Sequence, residues 1–260
     1  MKPSAIKPMP PSAVIAAIPA RYASERLPGK PLRPLAGRPM IEHVYSRVLE
    51  ARGLSRVVVL TDDPRVADAV DAFGGQWQMT PTACASGTDR IAGAARDWDA
   101  AAIINVQGDE PLIEPGAVEA VASHLRDCPE DPMVTLAAPA GESEHRDPDV
   151  VKVVLDRRGY ALYFSRAPIP FPRRRGAVPA LVHVGIYGYQ RTALLELAAL
   201  EPTPLERCES LEQLRALENG IPIRVLRVAG AEPGVDTPED LARVAVKLEQ
   251  LARGASSRRS

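Results

Sequence analysis

The sequence predicts an α/β fold, a mostly parallel sheet with helices on both faces. Strand-like apolar runs alternate with stretches whose apolar residues recur at helical spacing. The links between them are short, and repeated βα units of this kind build parallel sheets. The early strands are apolar at consecutive positions, as strands covered on both sides must be.

Val14–Ile18 opens the series as a buried-type strand. Met40, Ile41, Val44, Tyr45, Val48 and Ala51 then share one face of a helix over about Pro39–Arg52. Arg56–Thr61 is a β-branched run, followed by a helix over Asp63–Phe73 that Gly74 and Gly75 end. Gln76–Met79 is a short strand, Thr88–Asp97 a helix and Ala102–Val106 the next strand. The second half is less regular: Val134–Ala138, Val150–Leu155, Tyr160–Ser165, Leu181–Tyr189 and Ile223–Val228 read as strands. Arg166–Ala180, rich in proline and arginine, reads as a loop, and Leu205–Glu218 as one helix. A last helix starts at Thr237, with Thr237 as N-cap, Pro238 at the first helical position, and Glu239 and Asp240 complementing the dipole. One domain spans residues 13–250, with 1–12 and 251–260 as disordered termini.

Bulk properties exclude several classes. The formal net charge of −1 provides no global field for nucleic acid or an anionic membrane. No apolar stretch reaches the ~18 residues of a membrane span, and Pro10, Pro11 and Pro19 break the N-terminal patch that a signal peptide would need. Three cysteines, Cys84, Cys128 and Cys208, are far apart, which fits a reduced cytoplasm better than a disulfide scaffold.

Chemistry gathers behind the strands. The loop after the first strand carries Arg21, Arg26, Gly29 and Lys30 within ten residues, stiffened by Pro28 and Pro31. Ligands of α/β proteins sit outside the carboxyl ends of parallel strands, where loop amides and fixed cations meet phosphate oxygens. The loop is neither a G-x-G-x-x-G fingerprint nor a P-loop, and a plain basic surface loop is the alternative. Gln107-Gly108-Asp109-Glu110 follows a strand buried on both faces, so Asp109 lies on the same side. It reads either as a Mg²⁺ ligand beside phosphates or as a turn aspartate capping the helix after Pro115. Asp236, with Thr237 already capping, is left as a second metal carboxylate. Ser86-Gly87-Thr88-Asp89-Arg90 reads as an ordinary helix start or as a contact for a base or ribose.

These motifs occur together and in order. Pro19-Ala20-Arg21 with Arg26-Leu27-Pro28-Gly29-Lys30-Pro31 is followed by Ser86–Arg90 and Asn105–Pro111. Val151-Lys152-Val153-Val154, Tyr163-Phe164-Ser165-Arg166 and His183-Val184-Gly185-Ile186-Tyr187 come next. Leu211-Glu212-Gln213-Leu214-Arg215 and Gly234–Leu241 complete the series. The set resembles the 3-deoxy-manno-octulosonate (Kdo) cytidylyltransferases, the CMP-Kdo synthetases of lipopolysaccharide synthesis, from about Val14 to Val246. The resemblance implies a Rossmann-like nucleotidyltransferase core. It also implies an inserted lobe, about residues 140–217, that shapes the sugar site and helps form a homodimer. The implied reaction joins CTP and Kdo as CMP-Kdo and diphosphate with Mg²⁺, the anomeric hydroxyl attacking the α-phosphorus in line.

On that reading Ala20, Arg21, Arg26, Lys30, Ser86, Gly87, Arg90 and Asp109 bind the nucleotide. Arg21, Lys30, Asp109 and Asp236 carry catalysis, and Asp109 and Asp236 hold the metal. Gln107, Arg166, His183, Tyr187, Glu209 and Gln213 bind the sugar acid, with Arg166 taking its carboxylate as a bidentate partner. Taken singly, His183 reads as a strand histidine, and Glu209 and Gln213 as one solvated helix face. The segment Phe171–Leu181 is shorter than the family pattern, and Ala231-Glu232-Pro233 is atypical. Alternatives are a sister enzyme for 8-amino-Kdo or a sialic-type acid, a sugar-1-phosphate nucleotidyltransferase, and a non-catalytic nucleotide-binding module. The second lacks its G-G-x-G-T-R-type loop here, and retention of both Asp109 and Asp236 argues against the third.

Overall fold

The first strand, β1 (Val14–Pro19), divides the interior in two. Val14, Ala16 and Ile18 enter one apolar core and Ile15 and Ala17 the other, because successive side chains of a strand point to opposite faces. Ile15 and Ile18 are fully buried, and each contributes roughly 1.5–3 kcal/mol by leaving water. The computed structural model describes residues 13–23, 27–174, 179–230, 232 and 234–257.

After β1 a single 3₁₀ turn at Lys30–Leu32 leads into a small antiparallel ribbon, β2 (Pro34–Leu35) and β3 (Arg38–Pro39). The βα units follow as α1 (Met40–Leu49), β4 (Arg56–Thr61), α2 (Pro64–Ala72), β5 (Trp77–Met79), α3 (Gly87–Ala95), β6 (Ala102–Asn105) and α4 (Pro115–Asp127). The second half runs β7 (Met133–Pro139), α5 (Glu142–Arg146), β8 (Lys152–Leu155), β9 (Ala161–Ser165), β10 (Leu181–Gln190) and α6 (Arg191–Ala199). It ends with α7 (Pro204–Glu209), α8 (Gln213–Glu218), β11 (Ile223–Arg227) and α9 (Pro238–Ser257). Residues of α1, α2 and α4 close the first core; those of α3, α6 and α8 close the second. A small third core joins Leu27, Leu35, Met40 and Leu112 to Val235 and Val244, so the loop after β1 meets the start of α9.

The main sheet is ordered β11-β7-β10-β6-β1-β4-β5, with the β8–β9 ribbon attached to β10. β5, β4, β1 and β6 are parallel neighbours, as are β7 and β11. β10 runs antiparallel to both β6 and β7. Its pairing with β6 begins at Tyr187↔Asn105, so residues 181–186 overshoot the carboxyl end of β6.

Three sequence expectations need correction. The helix read over 205–218 is two, α7 and α8, because Ser210 adopts a left-handed conformation at φ 53°. The helix α6 went unread, because Leu194, Leu195 and Leu197 crowd its apolar residues without a clear stripe. The last helix extends to Ser257, so residues 251–257 are helical rather than a disordered tail, and 258–260 and 1–12 lie outside the described residues.

Candidate active site

A cavity of about 650 Å³ opens at the carboxyl ends of β1 and β6. Of the residues expected to bind nucleotide, Ala20, Arg21, Lys30, Ser86, Gly87, Arg90 and Asp109 line it, together with Gln107 and Asp236. Arg26 lies outside the described residues. Gly29, at φ +68°, turns the loop into the 3₁₀ turn that carries Lys30, a conformation that disfavours other residues. Gly108 lets β6's exit loop approach β1: a Cβ there would stand 2.7 Å from the Pro19 carbonyl oxygen.

Lys30 is the centre of the cleft. Its ammonium donates to Asp109 Oδ2 at 2.5 Å and to Asp236 Oδ1 at 2.9 Å, across 206 residues of chain in the second case. Asp109 is therefore not a helix cap; Glu114 holds the N-cap position of α4. Thr237 caps α9 through its hydroxyl to the Asp240 amide, and Asp240 accepts from the amides of Asp236 and Thr237, which frees the Asp236 carboxylate to face Lys30. Beside them, burial and then the Asp109 charge push the Glu110 carboxyl up to about 8.

The α3 start serves structure as well as the cavity. Ser86 caps the helix by accepting from the Asp89 amide. Arg90 is 4% exposed; it donates to Asp62 Oδ2 at 2.8 Å and to the Thr80 hydroxyl. Asp62 was not singled out from the sequence, yet it neutralises a guanidinium at the cavity wall. Cys84 also lines the cavity, unmarked by any motif.

Arg166, His183, Tyr187, Glu209 and Gln213 do not line this cavity. This second group comprises two adjoining pairs, His183 with Tyr187 and Arg166 with Glu209, and Gln213 on α8. His183 and Gly185 lie on the overshooting part of β10 and Tyr187 where its pairing with β6 begins, with the His183 and Tyr187 ring centroids 5.1 Å apart. A Cβ on Gly185 would stand 3.3 Å from Glu110 Oε1 and 4.0 Å from Gln107 Cγ, so this face abuts the cavity floor. Thr135 Oγ1 lies 2.8 Å from the Ile186 carbonyl oxygen and 2.9 Å from His183 Nε2. Its one proton goes to the carbonyl, so His183 donates from Nε2 and keeps a lone pair on Nδ1. Burial holds that imidazole down to about 3 and pushes the Tyr187 phenol well up. The Tyr187 hydroxyl is buried without a hydrogen-bond partner among the described residues.

Glu209 accepts from the Ser165 hydroxyl at 2.6 Å and from the Arg166 amide at 2.9 Å. Burial raises its pKa, but these donors and the Arg166 charge outweigh it and leave the carboxyl below its ordinary value. The Arg166 guanidinium donates from Nε to the Glu209 carbonyl and from Nη1 to the Pro148 carbonyl. Gln213 is buried at the first turn of α8. Glu212, inside the quoted Leu-Glu-Gln-Leu-Arg motif but given no role from the sequence, ties the two groups together. It accepts from Ser86 Oγ at 3.1 Å and from Thr88 Oγ1 at 2.7 Å.

A cationic loop, paired carboxylates and an α3 start around one cleft, on this sheet, define a nucleotidyltransferase. Comparison with known proteins narrows the class: the cytidylyltransferase family profile matches residues 15–228. The chain is 52% identical over 248 residues to a 3-deoxy-manno-octulosonate cytidylyltransferase of Syntrophotalea carbinolica, covering 92% of this chain and 99% of that one. It is 48% identical to the Escherichia coli protein of the same name, covering 94% and 100%. A solved CMP:2-keto-3-deoxy-manno-octonic acid synthetase complexed with CTP superposes with a TM-score of 0.90 at 48% identity, covering 92% and 99%. A cytidylyltransferase from Leptospira borgpetersenii, 17% identical with a TM-score of 0.61 and covering 95% and 96%, shares the fold. The chain belongs to the 3-deoxy-manno-octulosonate cytidylyltransferase family. Among the described residues, no helix is long and apolar enough to cross a membrane.

Proposed function

We propose that this chain transfers a cytidylyl group from CTP to Kdo, forming CMP-Kdo and diphosphate. The observation that carries the reading is Lys30 held between Asp109 and Asp236 at the mouth of the cavity. Arg21, Arg26 and Lys30 neutralise the triphosphate and then the departing diphosphate. The Ala20 backbone contributes to the same phosphate cradle, and Ser86, Gly87 and Arg90 form the nucleoside side. The sugar's anomeric oxygen bonds to the α-phosphorus and loses its proton, and diphosphate leaves with the electron pair of the broken P–O bond.

Asp109 and Asp236 suit Mg²⁺. Two carboxylate oxygens already converge on one cation beside an open cavity, and Mg²⁺ favours one or two carboxylates plus phosphate oxygens. When bound, magnesium supplies divalent charge opposite the phosphates and acidifies a nearby hydroxyl. Lys30 must then leave at least one carboxylate and turn to the phosphates.

The acceptor lies along β10 and Arg166. Arg166 takes the carboxylate, and Gln107, His183, Glu209 and Gln213 take hydroxyls. The partnerless Tyr187 hydroxyl supports this side as a polyol site, since a buried hydroxyl without a partner is costly and a sugar hydroxyl would satisfy it. The segment 140–217 forms the lobe of the acceptor site, and the enzyme works as a cytoplasmic homodimer. Diphosphate release with CTP and Mg²⁺ against Kdo, 8-amino-Kdo and sialic acid tests the assignment. Kdo should be the preferred acceptor; release with none of the three would reject the reaction.

A further inference from the structure

The motif Val151-Lys152-Val153-Val154 has no part in the chemistry above, yet Lys152 is among the largest fully buried side chains of the described residues. A buried ammonium is costly unless every donor is satisfied. Lys152 has three donors, and each is used on a main-chain carbonyl: Asp147 at 2.7 Å, Val150 at 2.6 Å and Arg166 at 2.5 Å. A core position could be filled by methionine at no such cost, so the specific pattern of acceptors calls for a reason.

One of the three carbonyls is Arg166's own, and the other two flank Pro148, whose carbonyl Arg166 bonds. Lys152 pairs with Ser165 across the β8–β9 ribbon, one residue before Arg166. It pins Asp147 and Val150, the two sides of a turn whose Pro148 carbonyl accepts from Arg166 Nη1. It also holds the Arg166 carbonyl, while Glu209 holds the Arg166 amide and Nε. The main chain and the guanidinium of Arg166 are thus fixed by one ammonium and one glutamate. We propose that Lys152 is a positioning residue for the acceptor: it fixes the Asp147–Val150 turn and the Arg166 backbone so that the guanidinium meets the sugar acid's carboxylate. The inference rests on the proposed reaction and on Arg166 as the carboxylate partner. Burial lowers the Lys152 pKa; the Asp147 and Glu209 charges act the other way, and the Arg166 charge adds to the lowering.

The test uses Lys152→Met and Lys152→Gln in the full chain, with the acid that the wild type accepts. The methionine variant should raise the acid's KM about tenfold, and the glutamine variant, which keeps donors, should raise it less. The KM for CTP should stay within about twofold, since none of the three carbonyls lines the nucleotide cavity. In Arg166→Lys, adding Lys152→Met should change the acid's KM little, because the group it positions is already altered. If the methionine variant does not fold, the glutamine variant carries the comparison. An unchanged acid KM in a soluble variant, an equal rise in the CTP KM, or additive effects in the double variant would each overturn the role. A wild type that releases diphosphate with no acid overturns the reaction itself, and this inference with it.

Discussion

Replacing Lys30 with methionine removes a cation that, among the described residues, pairs with both Asp109 and Asp236. Lys30 is 13% exposed, while the two carboxylates are 33% and 49% exposed. Pairs of this exposure are worth about 0.2–1 kcal/mol each, so Lys30→Met should cost the ligand-free chain about 0.4–2 kcal/mol, or ~1–8 °C in Tm. Two carboxylates then face each other with their shared counter-charge gone. Magnesium should substitute for it: millimolar MgCl₂ should recover most of the lost Tm in the variant while moving the wild type much less. Calorimetry at low ionic strength, with sodium chloride at matched ionic strength as control, reads this directly. With substrates, kcat/KM for CTP should fall at least ~100-fold, as when one preorganised transition-state contact is lost. Equal magnesium responses in wild type and variant, or a variant as stable as the wild type, would refute the shared-cation account.

Asp109→Asn and Asp236→Asn should each lower turnover at least ~100-fold while remaining folded; near-normal turnover at saturating Mg²⁺ would remove that residue from the metal site. Arg166→Lys should raise the acid's KM ~10-fold and leave the CTP KM in place, because an ammonium lacks the planar fork that reaches Glu209, Pro148 and a carboxylate together; steady-state kinetics with each substrate varied in turn decides this. His183, held near 3 by burial, stays neutral in the fold while the unfolded chain takes up a proton below about 6.5. Stability should therefore be lost as pH falls from 6.5 towards 3, by up to ~2 kcal/mol at about pH 5. Urea denaturation at the two ends of that range should show a smaller loss in His183→Gln; an equal loss would point to His43, whose pKa burial also lowers.

The nucleotide side was legible in the chain because local rules suffice there. A buried strand predicts which end its loop leaves, so Arg21, Lys30 and Asp109 could be assigned to one edge without any long-range information. Asp236 was legible for another reason: Thr237 and Pro238 already account for the helix start, so the aspartate before them is not needed as its cap. What stayed hidden depends on pairings between distant segments. Apolar residues of Leu181–Tyr189 announce a strand, but nothing in them gives its direction, and β10 runs against its neighbours. The break at Ser210 was equally hidden, since serine is an ordinary helix residue by propensity; Glu209 and Glu212 are drawn to partners on different elements, Ser165 and Ser86. Asp62 and Lys152 were missed because their value lies in what they hold still, and a sequence shows charge without showing its partner.

The reversed direction of β10 has a mechanical consequence. Gln107 leaves β6 and His183 enters β10 as adjacent strands of one hydrogen-bonded sheet, so the cavity floor and the face that carries His183 belong to a single plate. Any hinge that moved the acceptor half relative to the nucleotide half would have to tear main-chain hydrogen bonds between Ala102–Asn105 and Tyr187–Gln190. The 3₁₀ turn that carries Lys30 and the segment leading to Asp236 lie off that plate, joined to each other by the Lys30–Asp236 ion pair rather than by strand pairing.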